Sequence, residues 1–404
     1  MRSWKSPEGT LALVCITTSD NIQGWGQIGN KDVDISEELF HRRIAPAAVG
    51  RKLNDPWRLC ADVVAFELNY KCLGVQFSKA LAGLDSAVWD AAAKYCKTSV
   101  CQLIGGAPLT PFPVYASSIS RSIAAPLLAE KLVRLKEEHG INAFKIKVGR
   151  RMQAAMAHGP EALTVDQWEG RTRQVVETVR RSLGNRVVLA VDANGAFPSL
   201  AQHPTHILSL QKLLEENQVH FLEEPFPWFQ AQAYEDWAHH ETKKVLLAGG
   251  EQEFRMDVWQ QLPPFDIYQP DIGYCGGPSN AILIAELALK QGKSFVPHSP
   301  QGDMLMVMAL HLACAVGPRQ VSNRCHMELA CVDDGLAQVR LAPNGSMTST
   351  LFGNCLSVRN GELLLHASSP PKYGWMVEPL QSWLDLATSR TFDPAQASAR
   401  RSGL

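Results

Sequence analysis

Three carboxylates are the first candidates for chemistry. Asp192 in "VDANG", Glu223 in "FLEEP" and Glu251 in "AGGEQ" each close a short apolar run, and they stand 31 and 28 residues apart. Side chains that close successive strands of a parallel barrel face one mouth, so acids at this spacing converge. Converging anions repel one another unless a cation lies between them, and hard, all-oxygen ligands favour Mg2+. Taken singly, each acid reads as a helix cap or a surface carboxylate. The repeated interval gives the set its meaning. Glu224, one residue on, points the other way in an extended strand and is expected to play a supporting or structural part.

Two lysines precede the acids by one unit. In "FKIKVGR" (Phe144 to Arg150), Lys145 and Lys147 are two apart and share one face of a strand. Two neighbouring buried ammonium groups repel each other. A metal with its carboxylates nearby offsets that repulsion, and metal and ammonium together depress a lysine pKa, freeing an amine to act as a base. The bland alternative is a pair of snorkelling lysines on an edge strand, but the run is apolar on both sides. Further along, Asp271 of "YQPDIG" and His298 of "VPHSP" are 27 apart. They can meet as a carboxylate–imidazole pair in which the acid fixes the histidine tautomer and supports its charged form. "CHMEL" offers Glu328, or His326, to the same mouth, either as a loop acid or as a group bonded to a developing oxyanion opposite the metal. Together these groups fit proton abstraction α to a carboxylate. The metal and Lys145 hold the carboxylate, while Lys147 on one face and His298 on the other move a proton at the adjacent carbon through an enediolate.

Such residues need a scaffold that brings strand ends together. From Pro113 onward, apolar runs alternate with amphipathic stretches: "VYASS" then 124–138, "AFKIKV" then 166–182, "VVLAV" then 206–216, followed by "VHFLE", "VLLAG", "FDIYQ", "SFVPH" and "CHMEL". Eight such runs imply βα units with parallel strands, and their number fits a (β/α)8-type barrel better than an open sheet. An insertion at 151–164 lengthens the loop after the second run. Upstream, "TLALVCITT" alternates as a strand, "GWGQ" marks a turn region, and "ALAGLDSAVWDAAAKYC" has helical spacing. "IGGAPLTPFP" reads as a linker, and "LSVRNGELLL" as a hairpin with an Asn-Gly turn, outside the barrel pattern. The expected division is a cap over 1–110, a barrel carrying the catalytic site over 111–335, and a segment over 336–404 that returns to the cap.

Composition narrows the partners. With 404 residues, 46% apolar and 20% charged, the chain has the balance of a soluble globular protein. A net charge of −1 argues against a nucleic-acid or polybasic membrane partner. Ten cysteines stand singly, without a CxxC pair or zinc-site spacing, and read as reduced thiols of a cytoplasmic protein. The apolar run Leu11 to Ile16 is too short for a signal peptide or a spanning helix.

The motifs "KIK", "VDAN", "EEP", "GGEQ", "QPD", "PHSP" and "MEL", in this order and preceded by "GWGQ" and "LDSAVWD", resemble the enolase superfamily in its mandelate racemase-like branch. The resemblance covers nearly the whole chain. It implies an α/β fold: a modified (β/α)7β TIM-like barrel with an α+β capping domain formed by both chain ends. It implies Asp192, Glu223 and Glu251 as Mg2+ ligands and Lys147 as one base, with Lys145 orienting the substrate carboxylate and lowering its partner's pKa. Asp271 and His298 resemble the family's dyad, Glu328 the acid that hydrogen-bonds the enediolate, and Asn194 a polar neighbour of bound substrate. The implied activity is that of an acid-sugar (aldonate or aldarate) dehydratase giving a 2-keto-3-deoxy acid, with His298 protonating the departing β-hydroxyl. A racemase or epimerase of a 2-hydroxy acid is the alternative, and a catalytically silent ligand-binding or scaffold homologue a third reading. Members commonly form homo-oligomers, from dimers to octamers. The chain departs from the family in three places. The family usually has another strand and a flexible lid loop before "TLALV", so the lid is expected to be short or missing. The common "GWGE" is "GWGQ", with Gln27 in place of the acid, and "SSPPKYGW" replaces a Gly-rich close after the hairpin.

Overall fold

The computed structural model describes residues 1–53, 55–68, 72–149, 165–197, 204–227, 230–238, 245–261, 264–298, 302–320, 326–332, 339–366 and 372–392. The insertion at 151–164 lies outside the described residues.

The chain begins with three antiparallel strands, β1 (Arg2–Lys5), β2 (Ala12–Thr17) and β3 (Gln23–Gln27), followed by α1 (Val33–Leu39), α2 (Ala45–Ala48), α3 (Pro56–Glu67), α4 (Val75–Tyr95) and α5 (Val100–Leu103). A strand therefore does precede "TLALV". The connection after it, where the lid was expected to be short or missing, is a tight turn, closed by Ser6 N–H to Leu11 O at 2.8 Å and Gly9 N–H to Ser6 O at 2.9 Å. The Ala-rich helix α4 is buried along most of its length, and β3 lies directly on it. A Cβ at Gly26 would stand 2.3 Å from the Gly83 carbonyl oxygen, and one at Gly24 2.1 Å from that of Ala87. Both glycines of "GWG" are thus needed for the strand to approach the helix.

The second unit holds eight parallel strands: β4 (Phe112–Ser117), β5 (Ala143–Lys147), β6 (Val188–Asp192), β7 (Val219–Glu223), β8 (Leu246–Gly249), β9 (Ile267–Tyr268), β10 (Ser294–Phe295) and β11 (Met327–Leu329). Between them run α6 (Ala125–His139), α7 (Val165–Leu183), α8 (Pro204–Glu216), α9 (Ala231–Ala238), the single turn α10 (Met256–Trp259), α11 (Pro278–Lys290) and α12 (Met304–Val316). The strands pair in sequence order from β4 to β10, and β11 returns to β4, which is the barrel plan expected from the alternating runs. Among the described residues, β10 and β11 share no ladder. The Gln320 side chain instead serves the β10 backbone like a neighbouring strand, its Oε1 accepting from Phe295 N–H at 2.8 Å and its Nε2 donating to Phe295 O at 3.1 Å. A plug of Tyr115, Ala143, Ala190, Phe221, Ala248 and Ile267, from six consecutive strands, and Val296, which follows β10, fills the barrel interior. Large and small side chains interleave in it, which leaves the C-terminal strand ends for chemistry.

The segment after the barrel divides. The strands β12 (Ser346–Ser349), β13 (Gly353–Arg359) and β14 (Glu362–Leu365) form a meander, with Asn360 and Gly361 at φ 52° and 76° in its Asn-Gly turn. The β14 strand pairs antiparallel with the start of β4, whose first residues extend beyond their parallel neighbours, so the hairpin joins the barrel sheet. The chain after the hairpin reaches the cap, where Trp375 N–H donates to Asp90 on α4 at 2.8 Å. There, after α13 (Gln381–Leu386), β15 (Thr388–Thr391) pairs with β1.

Candidate active site

Strand register assembles the charged groups. In the β5–β6 ladder Lys147 stands opposite Asp192, and in the β6–β7 ladder Asp192 stands opposite Glu223. Glu251 follows β8 by two residues, and an isolated parallel bridge joins Asp271 to His298. Glu328, on β11, lies in register with Tyr115 on β4. The two lysines do share a face, as the two-residue period demands.

Lys145 is 1% exposed and serves as a hub. Its Nζ lies 2.9 and 2.8 Å from the two oxygens of Glu223, 2.9 Å from Glu328 Oε1 and 3.6 Å from Asp192 Oδ2. The Lys147 ammonium donates to Asp192 and, at 2.8 Å, to Asn194 Oδ1. On the other side, His298 Nδ1 is 2.8 Å from Asp271 Oδ2, and its Nε2 is 3.1 Å from Glu251 Oε2 and 3.8 Å from Glu328 Oε2. Both ring nitrogens face carboxylate oxygens, an arrangement that the doubly protonated ring satisfies. Burial opposes that charge, but Glu251, Asp271 and Glu328 outweigh it and raise the pKa to about 10.

The carboxylates set the electrostatics of the buried lysine. Burial by itself pulls the Lys145 pKa down, yet Glu223, Glu328, Tyr115 and Asp192 hold it well above the ordinary lysine value. These carboxylates favour the ammonium form of Lys145. Glu328 faces the cations Lys145 and His298. Burial would raise its pKa, but Lys145, His298 and Lys147 lower it, and the carboxylate accepts from Tyr115 Oη at 3.2 Å. Donation to an enediolate would require it first to take up a proton. His326, the alternative on the same run, precedes β11 and lines a small cavity among strand starts, with His220, Val188 and Leu246, at the opposite end of the barrel. Glu224 leaves β7 in a left-handed turn, φ 39°, and its Oε1 accepts from Gly250 N–H at 3.3 Å. It remains close enough to the other acids for burial, Glu251, Glu223 and Asp192 to raise its pKa well above the carboxylate range.

The donor set fits a hard cation. Among the described residues no three acid, histidine or cysteine side chains form a ready-made metal cage; ammonium groups occupy the carboxylates instead. Even so, Asp192, Glu223, Glu224, Glu251, Asp271 and Glu328 outnumber Lys145, Lys147 and His298. Burial and the nearby Asp192 push the Glu223 pKa up to about 8, the behaviour of acids short of positive charge. Asp192, Glu223 and Glu251, all-oxygen ligands at neighbouring strand ends, could hold a divalent ion of the Mg2+ type.

The parts played by three residues were not legible in the sequence. Gln269 of the "QPD" motif donates to Glu223 Oε2 at 2.8 Å. Tyr115 shares Glu328, with the Lys145 ammonium 5.4 Å from its ring centre. Arg121, in the loop after β4, reaches Val148 O, Ala193 O and Asn194 Oδ1 at 2.8–2.9 Å. The polar stretch "SSISRS" was the one available sign of Arg121, and it resembles many surface loops.

Comparison with known proteins accords with this architecture. Residues 5–105 match the mandelate racemase / muconate lactonizing enzyme N-terminal domain, and residues 127–364, more than half of the chain, match the enolase C-terminal domain-like family. The D-galactonate dehydratase of Variovorax paradoxus is 27% identical over 303 residues, which cover 74% of this chain and 73% of that protein. A candidate racemase from Roseobacter denitrificans superposes with a TM-score of 0.80 at 27% identity, covering 96% of this chain and 98% of its own. The mandelate racemase/muconate lactonizing protein of Paracoccus denitrificans, solved with magnesium, shares the fold at a TM-score of 0.76 and 20% identity, covering 96% of each chain.

Proposed function

The chain belongs to the enolase superfamily, in its mandelate racemase-like branch, and we propose that it is a Mg2+-dependent hydro-lyase that converts an acid sugar, an aldonate or aldarate, to a 2-keto-3-deoxy acid. One observation carries the reading. A continuous charged network runs from Lys147 through Asp192, Lys145 and Glu328 to His298 and Asp271, so a base and an acid flank one group of carboxylates. The dehydratase relative supports the substrate class, and the magnesium-bound neighbour supports the metal.

Asp192, Glu223 and Glu251 would hold the ion, which supplies Lewis-acid stabilisation of charge on the substrate carboxylate. The buried Lys145 ammonium orients that carboxylate and faces the charge that builds on it. Lys147, as the free amine, takes the α-proton. The electron pair left on the α-carbon gives an enediolate and then expels the β-hydroxyl. His298, oriented by Asp271, gives its Nε2 proton to the hydroxyl, which departs as water, and the resulting enol becomes the ketone. The same reading includes a cytoplasmic location, supported by the free thiols among the described residues, and a homo-oligomer, which rests on the family resemblance alone.

The test is incubation with Mg2+ and a panel of aldonic and aldaric acids, following keto products and, in D2O, exchange of the α-proton. Keto product is expected. Exchange with stereochemical scrambling and no keto product would make the protein a racemase. If neither appears, and Lys147→Ala and His298→Asn behave as wild type, the catalytic reading fails.

A further inference from the structure

Asn194 and Arg121 form a device whose logic is the polarity of an amide. Asn194 follows β6 at φ 43°, a left-handed conformation in which asparagine is tolerated better than most residues, and its own N–H is tied to Asp192 Oδ1 at 2.9 Å. Its Oδ1 accepts from two cations at once, Lys147 Nζ at 2.8 Å and Arg121 Nη2 at 2.9 Å. The reversed amide would set an NH2 group against an ammonium and a guanidinium, so only one orientation is tolerable. Arg121 is itself anchored by backbone: its Nε donates to Val148 O at 2.9 Å, after β5, and its Nη2 to Ala193 O at 2.8 Å, after β6. The guanidinium thus spans the ends of two strands and keeps its charge at any working pH. Lys147 makes one of the two bonds to Oδ1; Arg121 makes the other, and its backbone anchors hold it there.

We propose that Arg121 is a positioning residue that locks the Asn194 amide, so that Oδ1 holds the Lys147 side chain in place and the Nδ2 donors remain available to an acceptor oxygen of the substrate. Among the described residues Asn194 Nδ2 has no hydrogen-bond partner, and the residue is half-buried beside the charged network. The site then reads an oxygen that accepts, a carboxylate or a hydroxyl lone pair, in register with the base. The part played by Lys147 rests on the hydro-lyase reading above; the locking of the amide does not.

Two measurements separate the proposal from that reading. The first uses full-length protein labelled with 15N-asparagine, its side-chain NH2 signal assigned by loss in Asn194→Ala. In wild type the Asn194 amide is expected to be rigid, and in Arg121→Met it should shift and become mobile while the thermal midpoint stays above the assay temperature. Unchanged Asn194 signals in Arg121→Met would overturn the proposal whether or not any acid is turned over. The second is a double-mutant cycle on kcat with the acid that wild type dehydrates. Arg121→Met is expected to lower kcat on the order of 10²-fold with a smaller change in KM, and to cost nothing further in the Asn194→Ala background. Additive losses would overturn the coupling, since a merely structural arginine would act independently of Asn194. A wild type inactive on every acid would sink the hydro-lyase reading and leave the amide measurement to decide.

Discussion

Individual side chains divide the proposed reaction into two proton transfers, and substitution should separate them. Lys147→Ala removes the group that takes the α-proton, so both keto product and solvent exchange are expected to fall by about 10²–10⁴-fold. His298→Asn leaves Lys147 in place but removes the acid. Keto product should fall by a similar factor while α-proton exchange in D2O persists, which NMR of the recovered substrate would reveal. Equal loss of both signals in both variants would argue against the division of labour. The acids make a second prediction. Mg2+ binding to the folded chain alone stabilises it by mass action, about 2.7 kcal/mol at a hundred times Kd. Added Mg2+ should therefore raise the thermal midpoint of wild type and leave that of Asp192→Asn nearly unmoved, and a chelator should abolish turnover reversibly. A Mg2+ response unaltered in Asp192→Asn would remove that residue from the metal site.

At the level of elements, α4 ties the two units together through both acids of "LDSAVWD". Asp85 accepts from Ser279 N–H and Ser279 Oγ–H, each at 2.7 Å, at the first turn of α11. Asp90 accepts from Trp25 N–H on β3 and from Trp375 N–H, each at 2.8 Å, so the segment that replaces a Gly-rich close docks on the same helix. Asp85→Ala leaves two buried donors without partners and should cost about 1–3 kcal/mol in urea unfolding. Asp85→Asn should cost less, because burial already pushes the carboxyl up to about 6. Gln27, the departure from "GWGE", has a comparable structural reason. Its Nε2 donates to Asp303 Oδ2 at 2.8 Å and its Oε1 accepts from Met304 N–H at 2.9 Å, at the N-cap of α12, shortly after His298. A glutamate at 27 would set one carboxylate against another, so Gln27→Glu is expected to lower the thermal midpoint, and Asp303→Asn in the same chain to restore it.

Across the whole molecule, barrel, cap and C-terminal segment meet at His311 on α12. Its Nδ1 accepts from Cys101 N–H on α5 at 3.1 Å, and its Nε2 donates to Trp375 O at 3.0 Å. Both bonds require the neutral ring, and burial depresses its pKa from 6.5 to about 3. As pH falls below 6.5 the unfolded chain takes up a proton that the folded chain refuses until about pH 3. The contribution is therefore complete above 6.5 and is lost on acidification toward 3. Between pH 7 and 5 wild type should lose about 2 kcal/mol more than His311→Gln, whose amide can donate and accept without titrating. Parallel losses in the two proteins would show that the ring does not titrate on unfolding.

The sequence by itself determined the barrel plan and most of the mouth. A βα unit has a nearly constant length and a strand a period of two, so Asp192, Glu223 and Glu251 recur at one interval, and Lys145 and Lys147 share a face before any contact is known. Only the tertiary structure decided which charges meet. It set Lys145 among Glu223, Glu328 and Asp192, turned Glu328 rather than His326 toward the mouth, and brought in Arg121 from a loop with no pattern of its own. It also supplied β1 beneath β15 and Gln320 beside β10. These are contacts between residues far apart in the chain, made by single side chains or edge strands. Such contacts leave no periodic trace, because their partners are selected by packing rather than by spacing.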